Sequence, residues 1–273
     1  MNKVYKLLIF IPVFIFISLI SLYSQDSDIL SQYENELVDE YAQILSVHLF
    51  KKKDKADSFF NHFMEVLKTD NSFEYPFDSL KNIGKIYSSG KNVRIYTWNI
   101  PESPNKIIYY GIIQYYSKLD NKYRIIDLNN MPDPHLYKLN QNWEGALYYQ
   151  AIENKHAGQI YYTLLGFNLN DMLSNKKVVE IFSIDQFDQI YFCEELIQYE
   201  GKIIDRLEFE YNEKASMTLR FNNEKKMIVF DHLSPQKPAL AGNYQFYGPD
   251  FTYDGLKFEK GIWVHYSNID ITN

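Results

Sequence analysis

The residue pair best equipped for chemistry is Asp231-His232, which closes the apolar run Met227 to Phe230. A carboxylate can fix the tautomer of an imidazole, and the two together can act as a base or ligate a metal. On a strand, however, consecutive side chains leave on opposite faces. The favoured expectation is an Asx-type turn cap at Asp231 and a hydrogen-bonded, structural His232. Two further clusters, Asp185 with Asp188 and Asn168 with Asn170 and Asp171, carry oxygens that could hold calcium. Neither has the spacing or terminal Glu of an EF-hand, and turns use the same residues to bond their own backbone. Turn chemistry is the favoured reading for both.

The remaining inventory argues against a ready-made reactive centre. There is no Gly-x-x-x-x-Gly-Lys, no Gly-x-Gly-x-x-Gly, no Gly-x-Ser-x-Gly and no His-Glu-x-x-His. The six histidines, at 48, 62, 135, 156, 232 and 265, are scattered, and a single cysteine cannot build a thiolate zinc cage. No cofactor and no metal are expected. Cys193 lies in the strand-like run Ile190 to Cys193 and reads as a buried, inert thiol; with no second cysteine, no internal disulfide can form.

What the chain does hold in excess is aromatic residues: 24 Tyr, 19 Phe and 3 Trp. Most must fill a core, because each ring can bury roughly 150–250 Å² in a domain without covalent staples. A minority could form a flat platform for sugar rings or a protein partner, with Tyr96, Trp98, Trp143 and Tyr149 as the candidates.

The elements that must position these residues are legible from period. Leu30, Tyr33, Leu37, Tyr41, Ile44 and Leu45 recur at helical steps, with Glu34, Glu36, Asp39 and Glu40 between them. Lys51 to Lys53 are expected beyond the end of this helix, where cations complement its dipole. A second helix, presenting Phe59, Phe60, Phe63, Val66 and Leu67, is expected to begin near Asp54.

From residue 84 the period becomes two. The runs 207–211 and 217–221 alternate and flank Asn212-Glu213-Lys214, predicting a hairpin with one buried and one wet face. Ile107 to Ile113, Tyr161 to Phe167 and Met227 to Phe230 are apolar on both faces and should lie centrally. The expected fold is mainly β, an antiparallel sandwich- or barrel-like assembly with an N-terminal helical segment. A propeller is the alternative. The expected division is a signal segment over 1–24, helices over 25–83 and a β body over 84–273, the last two forming one folded unit. The stretch Asn129 to Trp143, with Pro132 and Pro134, is the best inter-sheet loop.

The 273 residues carry a formal net charge of −7, which disfavours nucleic acid as a partner. Lys3 and Lys6, an apolar run from Leu7 interrupted by Pro12, and polar Ser24-Gln25-Asp26 describe a secretory signal peptide. An uncleaved anchor is the rival, but the run is short for a spanning helix. After cleavage no membrane span is expected. Three stretches, Tyr161 to Asn168, Lys226 to Pro235 and Tyr244 to Val264, resemble an uncharacterised group of exported Bacteroidetes-type proteins with no established activity. That resemblance implies export and a sheet-rich body, and carries no catalytic residue over. The resulting expectation is a periplasmic or secreted, non-catalytic module that binds a glycan or an envelope protein. A polymer hydrolase using dispersed carboxylates and a structural assembly component are the alternatives.

Overall fold

The computed structural model describes residues 28–130 and 143–271. The signal segment and most of the expected loop at 129–143 fall outside them. The chain divides into two compact units between Lys81 and Asn82.

Among the described residues the first unit holds two helices. Helix α1 covers residues 28–46 and buries Leu30, Leu37, Tyr41 and Ile44, while Leu45 is exposed. Helix α2 spans Leu49–Val66 and buries Ala56, Phe59, Phe60, Phe63 and Val66. Tyr41 meets Phe59 edge-on at 5.4 Å, and Phe63 meets Phe77 at 5.5 Å. The lysines expected beyond α1 do follow it, but they lie in the first turns of α2, which starts five residues earlier than predicted. Glu34, expected on the wet face, is buried and accepts from the Tyr75 hydroxyl at 2.8 Å and the Ser79 N–H at 2.6 Å. That carboxylate ties the segment after α2 back onto α1.

Among the described residues the second unit forms three sheets, almost wholly antiparallel and none closed into a barrel. The first has the order β1-β2-β3-β4, with β1 Gly84–Tyr87, β2 Val93–Ser103, β3 Lys106–Ser117 and β4 Lys122–Asp127. The second has the order β11-β7-β6-β5, with β5 Leu147–His156, β6 Gln159–Asn168, β7 Ser174–Ile184 and β11 Arg206–Asn212; β8, Ile190–Phe192, adds to β7. The third has the order β10-β9-β15-β14-β13-β12, with β9 Ile197–Tyr199, β10 Lys202–Ile204, β12 Leu219–Asn222, β13 Met227–Pro235, β14 Tyr247–Glu259 and β15 Ile262–Tyr266. Among the named strands of the described residues, β9 and β15 are the one parallel pair.

Two apolar clusters show how the sheets stack. One joins Val93, Ile95, Ile113 and Ile126 of the first sheet to Tyr148, Tyr162, Leu164, Val178 and Phe182 of the second. The other joins Leu165, Val179, Ile181, Leu207 and Phe209 of the second to Leu219, Ile228, Phe230, Leu256 and Trp263 of the third. The second sheet is therefore the middle layer, covered on both faces. This is why β6 reads as a nearly continuous apolar run. The expected hairpin at 207–221 does not form. Strand β11 pairs with β7 in the middle sheet and β12 with β13 in the third, so the chain switches sheets between them. The alternation was correctly placed, because Leu207, Phe209 and Tyr211 face Met217 and Leu219 within one cluster, from opposite sheets.

The two acidic clusters are turns. Asp171 Oδ1 accepts from the Leu173 and Ser174 N–H groups at 2.7 and 2.8 Å, and Asp185 Oδ1 accepts from Phe187 and Gln189, both at 2.8 Å. Asp188 instead accepts from Ser117 Oγ at 2.5 Å, a tie between the loop after β7 and the end of β3. The backbone bond from Leu173 holds the Asp171 carboxyl below its ordinary value of 3.8. A depressed carboxylate contributes stability that is present above its unfolded value and lost as pH falls through the folded one. Asp171→Ala should therefore lower the denaturant midpoint at neutral pH and cost progressively less toward acid pH. An equal loss at both pH values would contradict the turn's dependence on the charge.

Candidate functional site

The free edges of the three sheets meet on one side of the β unit. Strand β1 is the edge of the first sheet, β5 of the middle sheet and β12 of the third. Between them lies an open groove of about 830 Å³. Its walls take Ile86, Tyr87 and Ser89 from the first sheet's edge, residues 149–154 from β5, and Phe221, Asn223, Lys226 and Phe258 from the third sheet.

A bulge shapes this groove. The β5–β6 register shifts between Tyr148 and Gln150, so Tyr149 is an extra residue. Tyr149 and Gln150 then both reach β12. The Tyr149 hydroxyl donates to the Leu219 carbonyl at 2.8 Å, and the Phe221 N–H donates to Gln150 Oε1 at 3.0 Å. Burial, with a smaller contribution from Tyr211, pushes the Tyr149 phenol well above its usual value, so it is a neutral donor. Lys177 Nζ lies 4.5 Å from the Tyr149 ring centroid. Even so, 39% of Tyr149 remains exposed.

On the other flank, the β1–β2 turn clasps β5. Ser88 bridges to Ala151, and the Glu153 N–H donates to Ser89 Oγ at 3.0 Å. The Glu153 carboxylate accepts from the Gly90 N–H at 2.9 Å and from Asn92 Nδ2 at 3.4 Å. Further along, the Tyr148 N–H donates to Thr97 Oγ1 at 3.1 Å. The outward backbone groups that normally make an edge strand adhesive are thus bonded at Tyr148, Glu153, Leu219 and Phe221.

Of the four aromatic candidates, only Tyr149 lies in the groove. Tyr96 and Trp98 are not displayed: they are 0% and 1% exposed. The Tyr96 hydroxyl donates to Gln114, and the Trp98 ring stacks on Tyr110 at 5.4 Å. Alternation along β2 puts them on the sheet face opposite Val93 and Ile95. Trp143 belongs to the face they do not share. It packs on the cluster between the first and middle sheets, and a Cβ at Gly111 would come within 2.7 Å of its ring. Its Nε1 donates to the Tyr148 hydroxyl at 2.8 Å. The four residues therefore form no common platform.

The polar candidates do not meet either. Asp231 Oδ2 accepts from the Thr218 N–H at 2.6 Å, and exposed His232 bonds Asp250 through Nδ1 at 2.8 Å. The other histidines with carboxylate partners are separate: His62 with Glu40 at 2.9 Å, and His265 with Asp254 at 3.3 Å. Among the described residues no three His, Cys, Asp or Glu side chains are placed to hold a metal.

A second polar constellation is buried between the first and middle sheets. Glu180 of β7, with 0% exposure, accepts from the Tyr148 hydroxyl and from Arg206 of β11. Arg206 Nε also donates to Glu208 at 2.7 Å, and Lys176 donates to the same carboxylate at 2.9 Å. Cys193 Sγ is 4.0 Å from Glu180, and burial pushes its thiol far above the ordinary value. This is an inert sulfur beside a structural ion pair.

Sequence reasoning missed Tyr87, Gln150, Glu153, Asn154, Phe221 and Phe258. Their one sequence signal is that Gln150 interrupts the apolar run Leu147 to Ile152 and that Glu153 and Asn154 open the polar run after it, and this also fits a solvated edge. No family model, curated protein or solved structure matches the chain, so the geometry stands without a relative to interpret it.

Proposed function

We propose that the protein is an exported, non-catalytic binding module of the bacterial envelope that takes a glycan in the groove along β5. Export rests on the cationic, apolar and polar succession over residues 1–26. The observation that carries the binding reading is the sealing of the strand edges. An extended peptide binds a sheet edge through free backbone groups, and here side chains and the β1–β2 turn already hold them. Recognition is left to side chains: the rings of Tyr87, Tyr149, Phe221 and Phe258 and the polar groups between them. Flat rings flanked by hydrogen-bonding groups suit the apolar faces and hydroxyl rims of sugars.

The hydrolase alternative needs two acids facing each other across a cleft. The groove's described lining holds one carboxylate, Glu153, and it is engaged by Gly90 and Asn92.

The test is a glycan array followed by calorimetry on the purified protein. Tyr149→Ala should weaken the best oligosaccharide by tenfold or more, and Tyr149→Phe should retain most of the affinity, since the ring stays. Unchanged binding by Tyr149→Ala, or a protein partner whose binding ignores it, would overturn the reading.

A further inference from the structure

We propose that the β3–β4 and β7–β8 turns together dock the β unit on a zwitterionic phospholipid surface, with Leu119 and Phe187 entering the acyl boundary. Neither residue is in the groove's described lining, so this inference stands apart from the glycan reading. Leu119 lies in the turn 118–121 and is 56% exposed; Phe187 lies in the turn 185–189 and is 71% exposed. One hydroxyl ties the two turns. Ser117 Oγ accepts from the Leu119 N–H at 3.2 Å and donates at 2.5 Å to Asp188, the neighbour of Phe187. Arg124 adds a second tie, with Nη2 3.0 Å from Asp120 and Nε 3.4 Å from Asp188. The Phe187 N–H donates to Asp185 Oδ1 at 2.8 Å. The backbone beneath both apolar side chains is therefore held while the side chains stay in water. Single exposed apolar residues are ordinary, but two on tied turns make a contact surface.

The groups around them fit a bilayer. Lys118 and Lys122 are exposed, flank Leu119 along the chain, and form no ion pair among the described residues. Tyr116 and Tyr123 are paired across the hairpin, one step behind the closing pair Ser117 and Lys122. Their rings meet edge-on at 5.4 Å and are 44% and 38% exposed. An apolar apex, ammonium groups beside it and phenols behind it match the succession of acyl chains, phosphates and headgroup layer. The charges of this tip also choose the lipid. Lys118, Lys122 and Arg124 are balanced by Asp120, Asp185 and Asp188, so no excess positive charge favours an anionic lipid. A headgroup that carries both phosphate and a cation complements such a balanced tip, and the formal net charge of −7 does not repel it.

The experiment is co-sedimentation of the protein, without residues 1–24, with vesicles of phosphatidylethanolamine and phosphatidylcholine, alone and with added phosphatidylglycerol. Two double variants are compared with the parent: Leu119→Ser with Phe187→Ser, and Lys118→Gln with Lys122→Gln. The parent should bind the zwitterionic vesicles, and the serine variant should lose about tenfold or more. The glutamine variant should lose less, several-fold, and neither added phosphatidylglycerol nor salt should strengthen binding. Thermal midpoints should not change, since all four side chains are exposed, and neither should glycan affinity. No binding by the parent would overturn the proposal, as would binding that survives the serine variant. Unchanged binding by the glutamine variant would overturn the role given to the lysines. Binding only with phosphatidylglycerol, lost in salt, would overturn the zwitterionic surface. Self-association that the serine variant abolishes, without vesicle binding, would place a second copy there instead.

Discussion

Replacing Glu180 by alanine should destabilise the β unit by about 3–5 kcal/mol, the cost of breaking a buried ion pair on one side. Arg206 has only 10% of its side chain exposed, and its Nη2 is already buried without a partner, so it cannot turn to water when Glu180 is lost. The same change removes the acceptor of the Tyr148 hydroxyl, which in turn receives Trp143. Glu208 remains beside Arg206 Nε, which keeps the loss below the full cost of an isolated charge. The three tryptophans, at 98, 143 and 263, all lie in the β unit, so urea unfolding followed by tryptophan fluorescence reports on that unit alone. The double variant Glu180→Leu with Arg206→Met should recover most of the loss, because an apolar pair has no charge to strand. A single variant within about 1 kcal/mol of the parent would mean that the pair is more hydrated than its burial implies.

Trp263→Ala should cost a similar amount, about 3–5 kcal/mol, through a cavity that rigid sheets cannot close. Trp263 has 0% exposure between the middle and third sheets, and its Nε1 donates to Thr163 Oγ1 at 2.8 Å. Its ring lies 5.4 Å from Phe258 and 6.5 Å from Phe221, both of which line the groove. The loss should therefore reach the ligand as well, since two walls lose their backing. Trp263→Phe refills most of the volume and should recover more than half of the stability, leaving Thr163 without its donor. Circular dichroism melts of the two variants measure this directly. Equal losses for Ala and Phe would place the energy in the hydrogen bond rather than in packing.

The sequence disclosed which residues face a core more reliably than which elements pair. Alternation at 207–211 and 217–221 identified the inward side chains, but a period of two is the same whether the next strand lies beside or across the core. The chain switches sheets there, and nothing local marks it. The helical period located α1 and the apolar face of α2, yet it assigned Glu34 to solvent. Burial of that carboxylate depends on Tyr75 and Ser79, more than forty positions away. The aromatic candidates failed in an instructive way. Residue type marks Trp98 and Tyr149 equally for core or surface, and only the β5 bulge separates them by turning Tyr149 out toward β12. The groove is a product of three sheet edges meeting, and Glu153 acquires its meaning from Gly90 and Asn92, which lie far away in sequence.

A crystal structure with the tightest-binding oligosaccharide tests the central claim most directly. The account predicts sugar density along β5 between Tyr87 and Phe258, with one sugar ring against Tyr149. Sugar bound elsewhere on the β unit, with the groove still open, would contradict it.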